Sequence, residues 1–162
     1  MKPLLTILAI WALTSCSETP QSVIKTDDNL TANIKLILEK YEKNDLDVSG
    51  YYADSVICKL NNTTFTGYHN LKSGLQAQHD VLYDNIKIDD LYIHTNYFVD
   101  GEKWTRAWFN WIATGKTTGN DYVNRVHFDY KWENGKIVEF LAYFPEKGEA
   151  EEIAAYSKAS KN

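Results

Sequence analysis

The chain has 162 residues, 44% of them hydrophobic and 14% aromatic, with 17 Lys and Arg against 22 Asp and Glu for a net charge of -5. That length supports one domain with a real core and is too short for two. The acidic balance, with Lys and Arg scattered and forming no basic stripe, argues against nucleic acid as a partner.

Residues 1–15 read as a signal peptide: Lys2 gives the positive start, Leu4 to Leu13 a short apolar core, and Ser15 the small residue before the cut. The core is too short to span a bilayer as a helix. Leu13-Thr14-Ser15-Cys16 resembles the lipobox of bacterial lipoproteins. The resemblance implies that Cys16 is lipidated and anchors the chain in the cell envelope, with Ser17 compatible with the outer membrane. An ordinary secretory signal with an accidental Cys is the alternative. If Cys16 is lipidated, Cys58 is the one remaining thiol and no intrachain disulfide is expected. Residues 16–28, polar with one Pro, read as a flexible tether, and 29–160 as the single domain.

Leu30, Ile34, Ile37, Leu38 and Tyr41 recur at helical spacing, with Asp27 or Asp28 to cap the start, and predict a helix ending near Asn44. Tyr51 to Asp54 read as a short helical turn, Val56 to Leu60 as a strand, and Asn61 to Thr64 as a turn. Gly67 to Asp84 predicts a second helix with Leu71, Leu75 and Leu82 on one face, and His79 falls on that stripe. Strands follow over Lys87 to Val99 and Trp104 to Thr114, with turns at Asp100-Gly101 and Gly115 to Asn120. A C-terminal helix is expected over Glu146 to Lys158, held by Ile153 and Tyr156.

The hairpin Tyr122 to Phe144 carries the clearest pattern. A two-residue Asn134-Gly135 turn would mix polar and apolar side chains on both faces. A three-residue loop with Gly135 in the left-handed position shifts the register by one. Val126, Phe128, Tyr130 and Trp132 then share an apolar face with Val138, Phe140, Ala142 and Phe144. Arg125, His127, Asp129 and Lys131 share the other with Ile137, Glu139, Leu141 and Tyr143. In the preceding strand Ala107, Phe109, Trp111 and Ala113 suit the covered side. Trp104, Arg106, Trp108 and Asn110 form an aromatic yet charged outer side of the kind that proteins use for association. Helices first and antiparallel strands afterwards make an α+β domain.

Several motifs resemble, in the same order, those of the nuclear transport factor two-like superfamily, which includes SnoaL-like cyclases and ketosteroid isomerases. They are Asn44-Asp45-Leu46-Asp47 with Tyr52-Ala53-Asp54, Thr66-Gly67 opening a helix, Trp111 to Gly115 on a strand, and Asn134 to Glu139 at the hairpin. The resemblance covers roughly residues 30 to 145 and implies a cone, a strongly curved sheet wrapped around helices. It also implies a pocket at the wide end and homodimers through the outer sheet face. The superfamily's familiar acid, base and oxyanion positions align with Ile37, Leu60, Phe128 and Ala142, none of which does that chemistry.

Acid–base chemistry needs a titratable group in the pocket beside a partner that tunes it. His79 is the candidate, with Asp54, Tyr41 or Tyr130 as partner; a satisfied histidine at the core edge is the plainer reading. His127 and Asp129 share the outer side without a third ligand, and His69 and His94 carry no pattern, so no metal is expected. Nor is a cofactor, since no phosphate-cradling Gly loop and no nucleophile elbow is present. Tyr41, His79, Trp111, Phe128, Tyr130 and Phe140 are the expected ligand wall for a small apolar molecule. Three functions remain open: a lipid-anchored binding or dimeric interaction module, a cofactor-free isomerase, dehydratase or cyclase, and a structural envelope protein.

Overall fold

The computed structural model describes residues 21–161. The expected signal peptide, Cys16 and Ser17 lie outside the described residues. Among those described, no helix is long and apolar enough to cross a membrane.

The elements run β1 (Val23–Lys25), α1 (Asn29–Glu42), β2 (Tyr52–Leu60), β3 (Thr63–Thr66), α2 (Tyr68–Ala77), a π-helical turn (Gln78–Leu82), β4 (Tyr83–Tyr97), β5 (Lys103–Gly115), β6 (Asp121–Glu133), β7 (Lys136–Tyr143) and α3 (Lys147–Ala159). The seven strands form one strongly curved sheet in the order β1-β4-β5-β6-β7-β2-β3. All neighbours are antiparallel except β2 and β7. The fold is the α+β cone expected from the motif order. Its curvature has a local source: the β4–β5 register slips twice, between Asp84 and Lys87 and between Asp89 and Tyr92. Asn85 and Asp90 take positive φ at those slips, 55° and 50°, as the bulges that bend a strand require.

Asp28 caps α1, its Oδ1 accepting from the Thr31 amide at 2.8 Å. The same carboxylate accepts from Thr95 and Tyr97, and Thr95 bonds Thr105, which accepts from the Trp132 indole. A cap, two strands and the hairpin are thereby tied through one buried polar chain. Ile34, Ile37 and Leu38 of α1 pack against Phe109, Val126, Tyr130 and Phe140 of the sheet. A second cluster joins Tyr41, Leu46, Leu82, Tyr83, Ile86 and Ala113.

Several expectations need correction. The hairpin turn is the two-residue kind, with Asn134 and Gly135 at φ 49° and 75° and Glu133 opposite Lys136. The register then slips at Val138, so that Tyr130 faces Phe140 and Phe128 faces Ala142. The predicted pairing holds from Lys131 back to His127, away from the turn, because a bulge, rather than a longer loop, supplies the extra residue. Ile137 lies before that bulge and is fully buried instead of outward. Tyr52 to Asp54 are strand, not helical turn, because Tyr52 pairs with Ile137 in the parallel β2–β7 edge. Val23–Lys25, within the presumed tether, pairs with Thr95 to Tyr97 as an edge strand. In α3, Ile153 and Tyr156 are exposed, and the inward side chain is Glu152, fully buried.

Candidate functional site

A cavity of about 400 Å³ opens between α1, α2, the start of α3 and the inner face of β5, β6 and β7. It falls within the range of small-molecule sites, roughly 300–1,000 Å³. Its walls follow from strand alternation. Val126, Phe128 and Tyr130 of β6 and Phe140 and Ala142 of β7 point inward from paired positions. Phe140 stacks on Tyr130 at 5.1 Å and meets Phe128 edge-on at 5.2 Å. The opposite wall is helical, with Ile37, Leu38 and Tyr41 of α1 and Leu71, Gly74 and Leu75 of α2 at helical spacing.

Tyr41 is fixed in place. Its hydroxyl donates to Gln78 Oε1 at 2.6 Å and accepts from Trp111 Nε1 at 3.0 Å. Burial holds this phenol far above its ordinary range. Tyr52 and Tyr130 differ: both are buried, and among the described residues neither hydroxyl has a hydrogen-bond partner. For Tyr52, burial and then the nearby Tyr130 raise the pKa; for Tyr130, burial and then Asp129 do so. Both residues line the cavity, where water or a ligand can bond a hydroxyl.

Of the expected ligand wall, Tyr41, Trp111, Phe128, Tyr130 and Phe140 line the cavity. His79 does not. Its ring meets the far side of Tyr41 edge-on at 4.9 Å, with Nε2 buried and unpartnered. Burial lowers its pKa, partly offset by the Tyr41 backbone. The π-helical turn at Gln78 explains the displacement: it rotates His79 off the stripe that regular helical spacing assigns it and brings Gln78 inward. Asp54 is exposed on β2 and lies outside the lining. Of the partners expected for His79, Tyr41 meets its ring, Tyr130 lines the cavity without it, and Asp54 does neither. Ile37, Leu60, Phe128 and Ala142, the positions aligned with the superfamily's acids and bases, all line the cavity and leave it apolar there.

The ionisable groups that sequence reasoning missed come from the C-terminal segment. Glu146 and Glu149 line the mouth. Glu149, half-buried in the first turn of α3, has its carboxyl raised above the ordinary range by burial and then by Glu146. The Glu146, Glu149, Glu152 spacing places three acids on one helix side. Spacing alone does not say that this side turns inward. Gly148 is the one hint, since a Cβ there would press into the Tyr122 ring.

On the outer face Trp104 donates to Glu102 at 3.0 Å and carries Lys131 over its ring. Arg106 pairs with Asp129 at 3.3 Å, and Asn110 accepts from Arg125. Trp108 stacks on His127 at 4.3 Å. His127 Nε2 also lies 3.1 Å from Asp129, but no group of three metal-ligating side chains occurs among the described residues. Cys58 is a free, buried thiol.

No family model matches the sequence, and no curated protein does. Solved structures do match. A candidate polyketide cyclase from Pseudomonas putida is similar with a TM-score of 0.65 at 15% identity, over 78% of this chain and 98% of that one. A candidate isomerase from Bacillus subtilis is similar with a TM-score of 0.62 at 10% identity, over 76% and 91%. A candidate SnoaL-like polyketide cyclase from Shewanella denitrificans is similar with a TM-score of 0.55 at 11% identity, over 78% and 98%. With the curved sheet, the helical wall and the cavity between them, these likenesses make the fold that of the SnoaL-like, nuclear transport factor two-like cone.

Proposed function

We propose that the chain is a small-molecule binding domain, held at the cell envelope through a lipid on Cys16, that encloses one compact, largely apolar molecule. The observation that carries this reading is the cavity of about 400 Å³ walled by aromatic and aliphatic side chains. A purely structural role would favour a cavity filled by its own side chains, because unfilled apolar space costs stability. The test uses the neutral fluorophore N-phenyl-1-naphthylamine. One saturable site per chain is expected, and Gly74→Phe should abolish it. Gly74 lines the cavity and an added Cβ there meets nothing within 4 Å, so the ring fills space rather than displacing backbone. Unsaturable binding, or binding unchanged by Gly74→Phe, sinks the reading. Lipidation is tested separately by incorporation of a fatty-acid label that Cys16→Ala removes.

A second reading, proton transfer on a bound molecule as in an isomerase, dehydratase or cyclase, is favoured by one observation. Glu149 faces the cavity with its pKa raised toward the range a general base uses. In that reading Glu149 takes the role expected of His79. Turnover abolished by Glu149→Gln and unaffected by His79→Ala would support it.

We further propose that the outer sheet face, with Trp104, Arg106, Trp108 and Asn110, pairs two copies of the chain.

A further inference from the structure

Of the side chains lining the cavity, Glu146 and Glu149 are charged, and no Lys, Arg or His is among them. Glu149 makes no hydrogen bond or ion pair among the described residues, although Lys147 and Glu151 on the same helix pair with each other at 3.8 Å. A half-buried carboxylate without a partner, beside a second one, is a costly arrangement that a cation relieves and an anion worsens. The N-terminus of α3 contributes a partial positive charge of about half a unit, which two full carboxylates outweigh. The aromatic rings of Tyr41, Tyr83 and Trp111 lie around the same space, and ring faces attract cations. Deeper in, Tyr130 and Tyr52, 1% and 5% exposed, present hydroxyls free to bond a second polar atom.

We infer that the molecule this cavity takes is an organic amine, with an apolar or aromatic body against the ring wall and its ammonium group at Glu149, with Glu146 beside it. The inference rests on the reading of the cavity as a ligand site and adds the charge class of the ligand. An acid of the same shape is rejected by the two carboxylates, and an alcohol of the same shape fits but leaves the charge of Glu149 uncompensated.

The experiment titrates the full chain by calorimetry at neutral pH with three molecules of one shape: 4-phenylbutylamine, 4-phenylbutan-1-ol and 4-phenylbutanoate. The amine is expected to bind about tenfold more tightly than the alcohol, and the acid most weakly. Glu149→Gln should bring the amine down to the alcohol's affinity while leaving the alcohol unchanged. Glu146→Gln, at an exposed position, should lower the amine's advantage in part and serves if the first variant does not fold. Raising the salt concentration should weaken the amine and spare the alcohol. Equal affinity for amine and alcohol, tighter binding of the acid, or an amine preference that survives both substitutions overturns the inference and leaves the cavity reading intact. Binding of none of the three overturns both.

Discussion

A phenol removed from water and left without a hydrogen-bond partner costs roughly 1–3 kcal/mol, which an isosteric ring without the hydroxyl does not. Tyr130 is buried and stacked on Phe140, and its hydroxyl makes no hydrogen bond among the described residues. Tyr130→Phe should therefore leave the denaturation midpoint unchanged or raise it slightly, whereas Tyr130→Ala should cost about 3–5 kcal/mol through lost ring packing. If Phe at 130 lowers stability by as much as Ala does, the hydroxyl has a partner within the fold and the cavity loses a polar anchor. At this scale the ring wall was legible, because Phe128, Tyr130 and Phe140 alternate with charged residues and alternation assigns a face. His79 was misplaced by one irregular helical turn, which no spacing argument foresees. Glu149 was missed because an acid near a chain end on a mostly polar helix reads as solvated until the helix is docked.

One side chain anchors that docking. Glu152 is fully buried, and its carboxylate accepts from the Thr117 and Thr118 amides and, at 2.7 Å, from the Thr118 hydroxyl. Burial alone would raise its pKa, but these bonds outweigh burial and hold it below the usual carboxylate range. The loop after β5 fits closely around it: a Cβ on Gly115 would overlap the carboxylate. A depressed folded-state pKa means that the staple's stabilisation is complete above the ordinary value near 4.5 and fades as pH falls through the depressed one. The wild-type melting temperature should accordingly converge on that of Glu152→Gln as pH falls through the depressed value. At pH 7 the variant should be less stable by about 2–3 kcal/mol, the cost of unmaking charged hydrogen bonds. Equal stability at pH 7 would show that α3 docks without the staple. The helix itself was legible from composition, but its inward face was inverted. Ile153 and Tyr156 are its most apolar side chains, and apolar residues are the ordinary guess for the buried side. The hairpin teaches the converse: its faces were read correctly beyond the bulge, where Phe128 and Phe140 share the inner side, but Ile137 before it was placed outward, and the bulge at Val138 leaves no mark in the residue types.

At the scale of the molecule, the cone has one covered face and one that the protomer leaves partly bare. On the bare side Tyr92, His94, Trp108, His127 and Tyr143 form a ladder of rings across β4, β5, β6 and β7, with neighbouring centroids 4.3–5.9 Å apart. The inner rungs brace one another, whereas Tyr92 and Tyr143 at the ends are 54% and 47% exposed. Directly opposed aromatic pairs on a sheet stabilise the protomer. Exposed aromatic ends bordered by the Arg106–Asp129 pair match an association surface with a polar rim. The two ends can be altered without disturbing the stack between them, which separates association from folding. Light scattering of the soluble protein should give twice the single-chain mass. Tyr92→Arg and Tyr143→Arg should each shift the equilibrium toward the single chain by at least about tenfold, with melting of the protomer unaltered, since interface energy concentrates in buried aromatic anchors. Trp108→Ala should also dissociate the pair but lower the melting temperature, because Trp108 holds both His94 and His127. A single-chain mass at every concentration would instead leave the ladder as a brace for the sheet's curvature, and dimerisation would have no part in how this cone works.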